Sequence, residues 1–328
     1  MILDSHQKCL PCWLVRTSAI ATAALFCILS TQGREASAED SRPSPPITAI
    51  AVQGNLLLCG SQRGIEKSSL AEKAAKGTLP NLLGHVHDLE ISPDRKWVAA
   101  AGGLPGQRGS IEIWNGDLSK RIHRWDLHKD LIYRVAFSAD GKRLATASHD
   151  GICKIVDASS GKLLTEYAGH SRPVMAITFL PGDDLIVSAG VDQSVQVWKA
   201  ANGQLVRTMD NHTAPVNDLA LKPQQKDALP VIATVSEDRT VRLWQPTIGR
   251  MLRFAKLASI PRTVRWSPEG TALWVGCDDG KLVILDPDTL EITRSQPALA
   301  GRIHSVAPHP DGRRILCAGE SGTAEVLR

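Results

Sequence analysis

Gly169–Lys199 reads GHSRPVMAITFLPGDDLIVSAGVDQSVQVWK, and its layout returns along the chain at a nearly fixed interval. His128, His170 and His212 are 42 residues apart. Asp150, Asp192 and Asp238 follow at steps of 42 and 46, with Asp279 coming 41 later and Ser321 in the next equivalent place. Trp114, Val156, Trp198, Trp244, Leu285 and Leu327 keep the same spacing. The long step reflects four extra residues in the Gln224–Pro230 loop. Between these markers lie short apolar or β-branched runs bounded by Gly, Asp, Asn or Pro, such as Tyr133–Phe137, Arg143–Ala147, Ile152–Val156 and Leu163–Tyr167. Such spacing predicts short strands rather than helices. Ser68–Lys76 alone has helical composition. A period of 40–45 residues carrying four short strands is the mark of a propeller blade.

Working outward, seven blades begin near residues 47, 83, 127, 169, 211, 257 and 301. Only six outermost strands can be found. The seventh blade ends on its third strand at Leu327-Arg328, so a three-stranded last blade is expected. The predicted fold is all-β, a seven-bladed propeller over residues 47–328.

The pattern resembles the WD40 family. The matching residues are Gly169-His170, the strand Val174–Phe179, Ser188 and Asp192 around a turn, and Val195-Gln196-Val197-Trp198. The terminal Trp-Asp pair survives only as Trp198-Lys199, Trp244-Gln245, Trp114-Asn115 and Val156-Asp157. The resemblance implies a buried chain of hydrogen bonds from Trp to Ser or Thr, to His, to Asp. It would join His170, Ser188, Asp192 and Trp198 in one blade and His212, Thr234, Asp238 and Trp244 in the next. His128, Thr146 and Asp150 form a version lacking Trp. A buried polar group needs a partner, and a fully paired network fixes one geometry. A hydrolytic triad is the competing reading of Ser, His and Asp. Three copies at one spacing favour structure over catalysis.

No phosphate-binding loop or dinucleotide fingerprint is present. The near pairs His85/His87 and His304/His309 lack further ligands at zinc-binding spacing. No cofactor or metal is therefore expected. The net charge of +4 is scattered, which argues against nucleic acid. Aromatic residues make up only 4%, too few for a quinoprotein-like platform. The functional expectation is a non-catalytic scaffold for another protein, as a monomeric propeller or a subunit of a complex; an exported propeller enzyme of lactonase or quinoprotein type is the alternative.

Residues 1–38 read as an export signal: Lys8 and Arg16, an apolar run Ser18–Ser30, and Ala36-Ser37-Ala38 as the cleavage site. Residues 39–46 are a Pro-rich linker. The expected location is periplasmic or secreted, with a tether by an uncleaved signal as the alternative, and no membrane span thereafter. Cys59, Cys153, Cys277 and Cys317 are expected to be buried thiols.

In relatives of this type partners dock on the loops entering each blade and on the turns between second and third strands. Asp88, Arg134 and Asp218 are assigned to that face, as are His149, Glu237, Asp278 and Glu320. Carboxylates outnumber cations on the last three blades, which favours a partner with basic side chains. Gly102–Ser110 enlarges one turn, so Leu104, Gln107 and Arg108 are further candidates.

Overall fold

The computed structural model describes residues 45–70, 75–79, 83–223, 228–309, 314–322 and 324–327. The export signal, most of the linker and the core of the Gln224–Pro230 insertion lie outside the described residues.

The chain runs outward through one antiparallel sheet after another. The first contains β1 (Ala49–Gln53), β2 (Leu56–Ser61), β3 (Gly64–Ser69) and β4 (Ala75–Leu79). The second contains β5 (His85–Ile91), β6 (Trp97–Leu104), β7 (Arg108–Asn115) and β8 (Arg121–His128). The third contains β9 (Ile132–Phe137), β10 (Arg143–Ser148), β11 (Cys153–Asp157) and β12 (Leu163–Tyr167). The fourth, which holds the repeat quoted above, contains β13 (Val174–Phe179), β14 (Leu185–Gly190), β15 (Val195–Lys199) and β16 (Leu205–Met209). The fifth contains β17 (Val216–Leu221), β18 (Ile232–Ser236), β19 (Thr240–Gln245) and β20 (Arg250–Lys256). The sixth contains β21 (Pro261–Trp266), β22 (Leu273–Cys277), β23 (Lys281–Leu285) and β24 (Ile292–Pro297). The last sheet has three strands among the described residues: β25 (Ile303–Pro308), β26 (Ile315–Gly319) and β27 (Ala324–Leu327).

The result is an all-β propeller with no helix among the described residues. Of Ser68–Lys76, the stretch of helical composition, Ser68 and Ser69 end β3 and Ala75-Lys76 begin β4, while residues 71–74 lie outside the described residues.

Burial explains the composition of each strand. The second strands are buried on both faces, as in Leu185–Gly190, so they read as apolar runs without alternation. The outermost strands face solvent, as in Arg250–Lys256, and tolerate charge. Core clusters fill the gaps between consecutive sheets. Ile177, Phe179 and Trp198 pack on Ala145, Ile155 and Tyr167 of the preceding sheet. Val187, Val195 and Val197 pack on Leu219, Ile232 and Trp244 of the following one. Ala307, Leu316 and Ala318 of the last sheet pack on Ile50, Leu57 and Cys59 of the first. The innermost strands β1, β5, β9, β13, β17, β21 and β25 stand side by side, and β25 lies against β1. Ile47 N–H donates to Gly319 O at 3.0 Å, and Ile50 N–H to Ser305 Oγ at 3.2 Å. Side-by-side packing, reinforced by these two bonds, therefore joins the first sheet to the last.

Tight approaches between strands impose glycine at Gly190, where a Cβ would sit 2.4 Å from Pro173 O. Innermost strands are also irregular. Register shifts fall between Val86 and Asp88, Val174 and Ala176, Val216 and Asp218, Pro261 and Thr263, and Ile303 and Ser305. The skipped residues His87, Met175, Asn217, Arg262 and His304 line one mouth of the central channel, with Tyr133. Bulges re-aim side chains in this way.

Candidate interaction face and central channel

The two tetrads and the Trp-lacking set of His128, Thr146 and Asp150 occupy equivalent places between the second strand, the third strand and the segment leading into each sheet. His170 Nδ1 lies 2.9 Å from Asp192 Oδ2, and its Nε2 lies 2.8 Å from Ser188 Oγ. Trp198 Nε1–H donates to the same Ser188 Oγ at 3.1 Å. His212 lies 2.8 Å from both Asp238 and Thr234, and Trp244 Nε1–H donates to Thr234 Oγ1 at 2.9 Å. His128 lies 3.0 Å from Asp150 and 2.7 Å from Thr146. With Val156 in the Trp position, Thr146 Oγ1 has no indole donor, and Lys154 O lies 3.3 Å from it.

The chemistry orders the protons. An ionised carboxylate only accepts, so the imidazole Nδ1 carries the hydrogen. Nε2 then accepts from the hydroxyl, and the hydroxyl oxygen accepts from indole. Each Asp also gathers backbone N–H groups from both sides. Asp192 takes Ser171 N at 3.2 Å and Ser194 N at 3.2 Å; Asp238 takes Thr213 N at 3.2 Å and Thr240 N at 2.8 Å. Burial alone would raise these carboxyls. The His partners and surrounding donors outweigh it and hold Asp150 and Asp238 near 2. The residue after each Asp has a left-handed backbone, with φ of 68° at Gln193 and 65° at Arg239. Geometrically the Ser188–His170–Asp192 series resembles a hydrolytic triad, but Ser188 is 0% exposed and its oxygen is already engaged by Trp198.

Asp88, Arg134 and Asp218 require a correction. They do not lie on the loop face. Asp218 is 1% and Asp88 5% exposed, and both carboxylates turn into the channel. Arg134 reaches across to meet both, contacting Asp218 closely and Asp88 at 3.3 Å. Asp218 also accepts Val264 N at 3.0 Å, Thr263 Oγ1 at 2.9 Å and Arg265 at 3.0 Å. Asp88 accepts Val135 N at 2.9 Å. Each carboxylate therefore ties its innermost strand to the next. Burial would raise the Asp218 carboxyl, but Arg134 and Arg265 keep it lowered. The bulge before each Asp reverses the facing that simple alternation would assign, and linear sequence does not display that bulge.

Glu237, Asp278 and Glu320 do meet at the loop face, interleaved with two arginines. Arg262 contacts Glu237 at 2.7 Å and Asp278 at 2.8 Å; Arg302 contacts Asp278 closely and lies 3.7 Å from Glu320. The carboxylate excess foreseen there is thus largely neutralised. His149 Nδ1 lies 2.8 Å from Tyr133 Oη beside the channel mouth. Leu104, Gln107 and Arg108 do not form an open loop. They extend a hairpin, with Gln107 N–H donating to Leu104 O at 3.1 Å and Gly106 N–H to Asp130 at 2.9 Å. Gln107 is exposed at its tip, whereas Leu104 and Arg108 pair as its last rung.

Sequence reasoning missed the channel itself. His87, Tyr133, Arg262, Arg302 and His304 converge on one mouth. Burial, with His85 and His304 nearby, pushes the His87 imidazole down to about 4, so it is neutral at pH 7. Glu90, Arg134 and Arg265 face the other end. The alternation His87–Asp88–Glu90 and the pair Arg262/Arg265 were the available signals. Cys59, Cys153 and Cys277 are buried thiols, and burial pushes Cys59 and Cys277 up to about 12. No group of three metal-ligating side chains occurs among the described residues.

These sheets and repeated tetrads define a β-propeller built from a recurring four-stranded unit. The family described as "WD domain, G-beta repeat" matches residues 77–115, 119–157, 161–199 and 203–245. The chain belongs to the WD40-repeat β-propeller family. It is 27% identical over 231 residues to "Guanine nucleotide-binding protein subunit beta" of Oryza sativa subsp. japonica, covering 65% of this chain and 58% of that protein. It is 28% identical over 167 residues to "COMPASS component SWD3" of Saccharomyces cerevisiae, covering 50% of each. With "Protein HIR1" of Yarrowia lipolytica it shares 24% over 242 residues, covering 56% of this chain and 22% of that one. The alignments thus span between a fifth and three fifths of these curated relatives. All three are eukaryotic, which points away from an exported bacterial protein. The expectation of a periplasmic, secreted or signal-tethered location is accordingly withdrawn. Among the described residues, no helix is long and apolar enough to cross a membrane.

Proposed function

We propose that the chain is a non-catalytic scaffold that binds another protein. In this reading the sheets are seven blades of one WD40 propeller, the last of them three-stranded. The chain works as a monomeric propeller or as a subunit of a complex. One observation carries the reading: the row Glu237–Arg262–Asp278–Arg302–Glu320 crosses consecutive sheets beside the channel mouth, with its side chains 20–44% exposed. A rigid scaffold presenting alternating, half-exposed charges suits a charged, geometrically specific partner. The tetrad groups, which could otherwise be taken for nucleophile and base, are committed to joining strands. The names of two relatives, a "subunit" and a "component", fit the same reading.

The test is crosslinking of the native protein to its neighbours, with Glu237→Lys and Glu320→Lys as controls. The expected result is a defined protein neighbour that is lost on charge reversal while the melting temperature is kept. Recovery of the protein alone, together with turnover of a lactone or sugar, would favour the propeller-enzyme alternative and overturn the scaffold reading.

A further inference from the structure

The second end of the channel is a chamber of about 370 Å³, separated from the mouth by the Arg134 crossing. Its charge count does not close. Arg134 is engaged by Asp88 and Asp218. Arg265 is engaged by Asp218 and by Val264 O at 2.7 Å. Around the crossing, Asp88, Asp218 and Glu90 thus meet two guanidinium groups, and of the three carboxylates only Glu90 lines the chamber. The surplus is Glu90. Among the described residues its carboxylate makes no hydrogen bond or ion pair, although the channel wall surrounds it. Its side chain is half-buried, and a partly desolvated carboxylate is stabilised by a nearby cation. β13 and β25 offer it only Ile177, Thr178 and Pro308, and Lys222 is turned to the Trp266 ring at 5.3 Å instead. Leu219, Leu221, Trp266 and Pro268 supply an apolar stretch of the chamber's lining.

We propose that this chamber binds one organic cation, an ammonium or guanidinium group on a short aliphatic stem, whose charge pairs with Glu90 and whose methylenes lie on the Leu219–Leu221–Trp266 wall. The chamber is far larger than a desolvated metal ion needs, since a water molecule's share of liquid volume is about 30 Å³. A charged head and an apolar stem match what the walls present. Such a cation arrives either as a free amine or as the Lys or Arg side chain of a protein. The inference stands apart from the scaffold reading, because free probes test it with no partner present.

Glu90 also makes the site sensitive to pH. Burial, with Asp88 adding to it, raises the Glu90 carboxyl to about 7, while Arg265 and Arg134 pull the other way. The binding form is therefore abundant at pH 8 and scarce at pH 6. Binding of n-butylammonium and propylguanidinium, with neutral butanol as control, is to be measured by calorimetry on the full chain. Capped Lys- and Arg-containing peptides form a second arm. Saturable binding of a cation but not of butanol is expected at pH 8, about tenfold weaker at pH 6 and in Glu90→Gln. Thr178→Trp, which fills the chamber and keeps Glu90, should abolish it, with melting curves showing both variants folded. Peptide binding without free-amine binding identifies a partner's side chain as the natural occupant, and the reverse identifies a small amine. Absence of saturable binding in both arms at pH 8, or equal affinity in Glu90→Gln, overturns the proposal.

Discussion

Replacing Asp238 by alanine isolates what one tetrad contributes. Asp238 accepts from His212 at 2.8 Å, from Thr240 Oγ1 at 2.6 Å, and from the backbone of Thr213 and Thr240 at 3.2 and 2.8 Å. Its loss leaves the His212 Nδ1–H, in a side chain that is 0% exposed, with only the long 3.4 Å contact to Thr240 Oγ1. A buried donor left unpaired costs about 1–3 kcal/mol. A second route to the magnitude uses titration. Burial opposes ionisation, yet Thr240 and His212 bring the carboxyl from 3.8 down to about 2. Such a depression contributes about 2 kcal/mol at neutral pH, or about 1–2 after allowing for solvent at the turn. Both routes describe the same bonds and are not additive, so a loss of about 2 kcal/mol is expected. The sign in pH follows. The folded pKa lies below the unfolded one, so the contribution is complete above about pH 4 and disappears as pH falls towards 2. Urea denaturation of wild type and Asp238→Ala, repeated from pH 7 to pH 2.5, reads both quantities. The wild type should lose its advantage over the variant across the acid range. A change under about 0.5 kcal/mol at pH 7, or an undiminished difference at pH 2.5, would refute the assignment of the tetrad to stability.

Other outcomes follow from the same geometry. Arg134→Met should destabilise by about 3–5 kcal/mol, because it leaves Asp88 without an ion pair and Asp218 with Arg265 alone; Asp88→Asn added to it should restore part of the loss in thermal melts. Gly190→Ala should lower the melting temperature, since its Cβ would meet Pro173 O at 2.4 Å. Cys59, Cys153 and Cys277 should resist a thiol reagent at pH 8 in the folded protein and react on unfolding. Burial keeps them protonated and out of reach, and rapid labelling of folded protein would contradict this.

Legibility differed between parts of the molecule for a physical reason. The tetrads were readable because each is local: His, Ser or Thr, Asp and Trp lie within one repeat, and period and spacing bring them together. Asp88, Arg134 and Asp218 were misplaced because their partners belong to other repeats. Asp218 and Arg134 are 84 positions apart in sequence yet in contact across the channel. The Gly102–Ser110 segment was read as an enlarged loop because it adds residues to a turn, whereas β6 and β7 simply continue to Leu104 and from Arg108.

The sequence by itself determined the repeating unit, its strand count, and the residues that bind each unit together, because those depend on short-range pattern and on burying one chain segment against the next. Tertiary structure decided what faces the central channel. That depends on a bulge in each innermost strand and on strands far apart in sequence converging on one axis. Only there do Arg134 and Arg265 engage Asp88 and Asp218 and leave Glu90, among the described residues, without a hydrogen bond or ion pair.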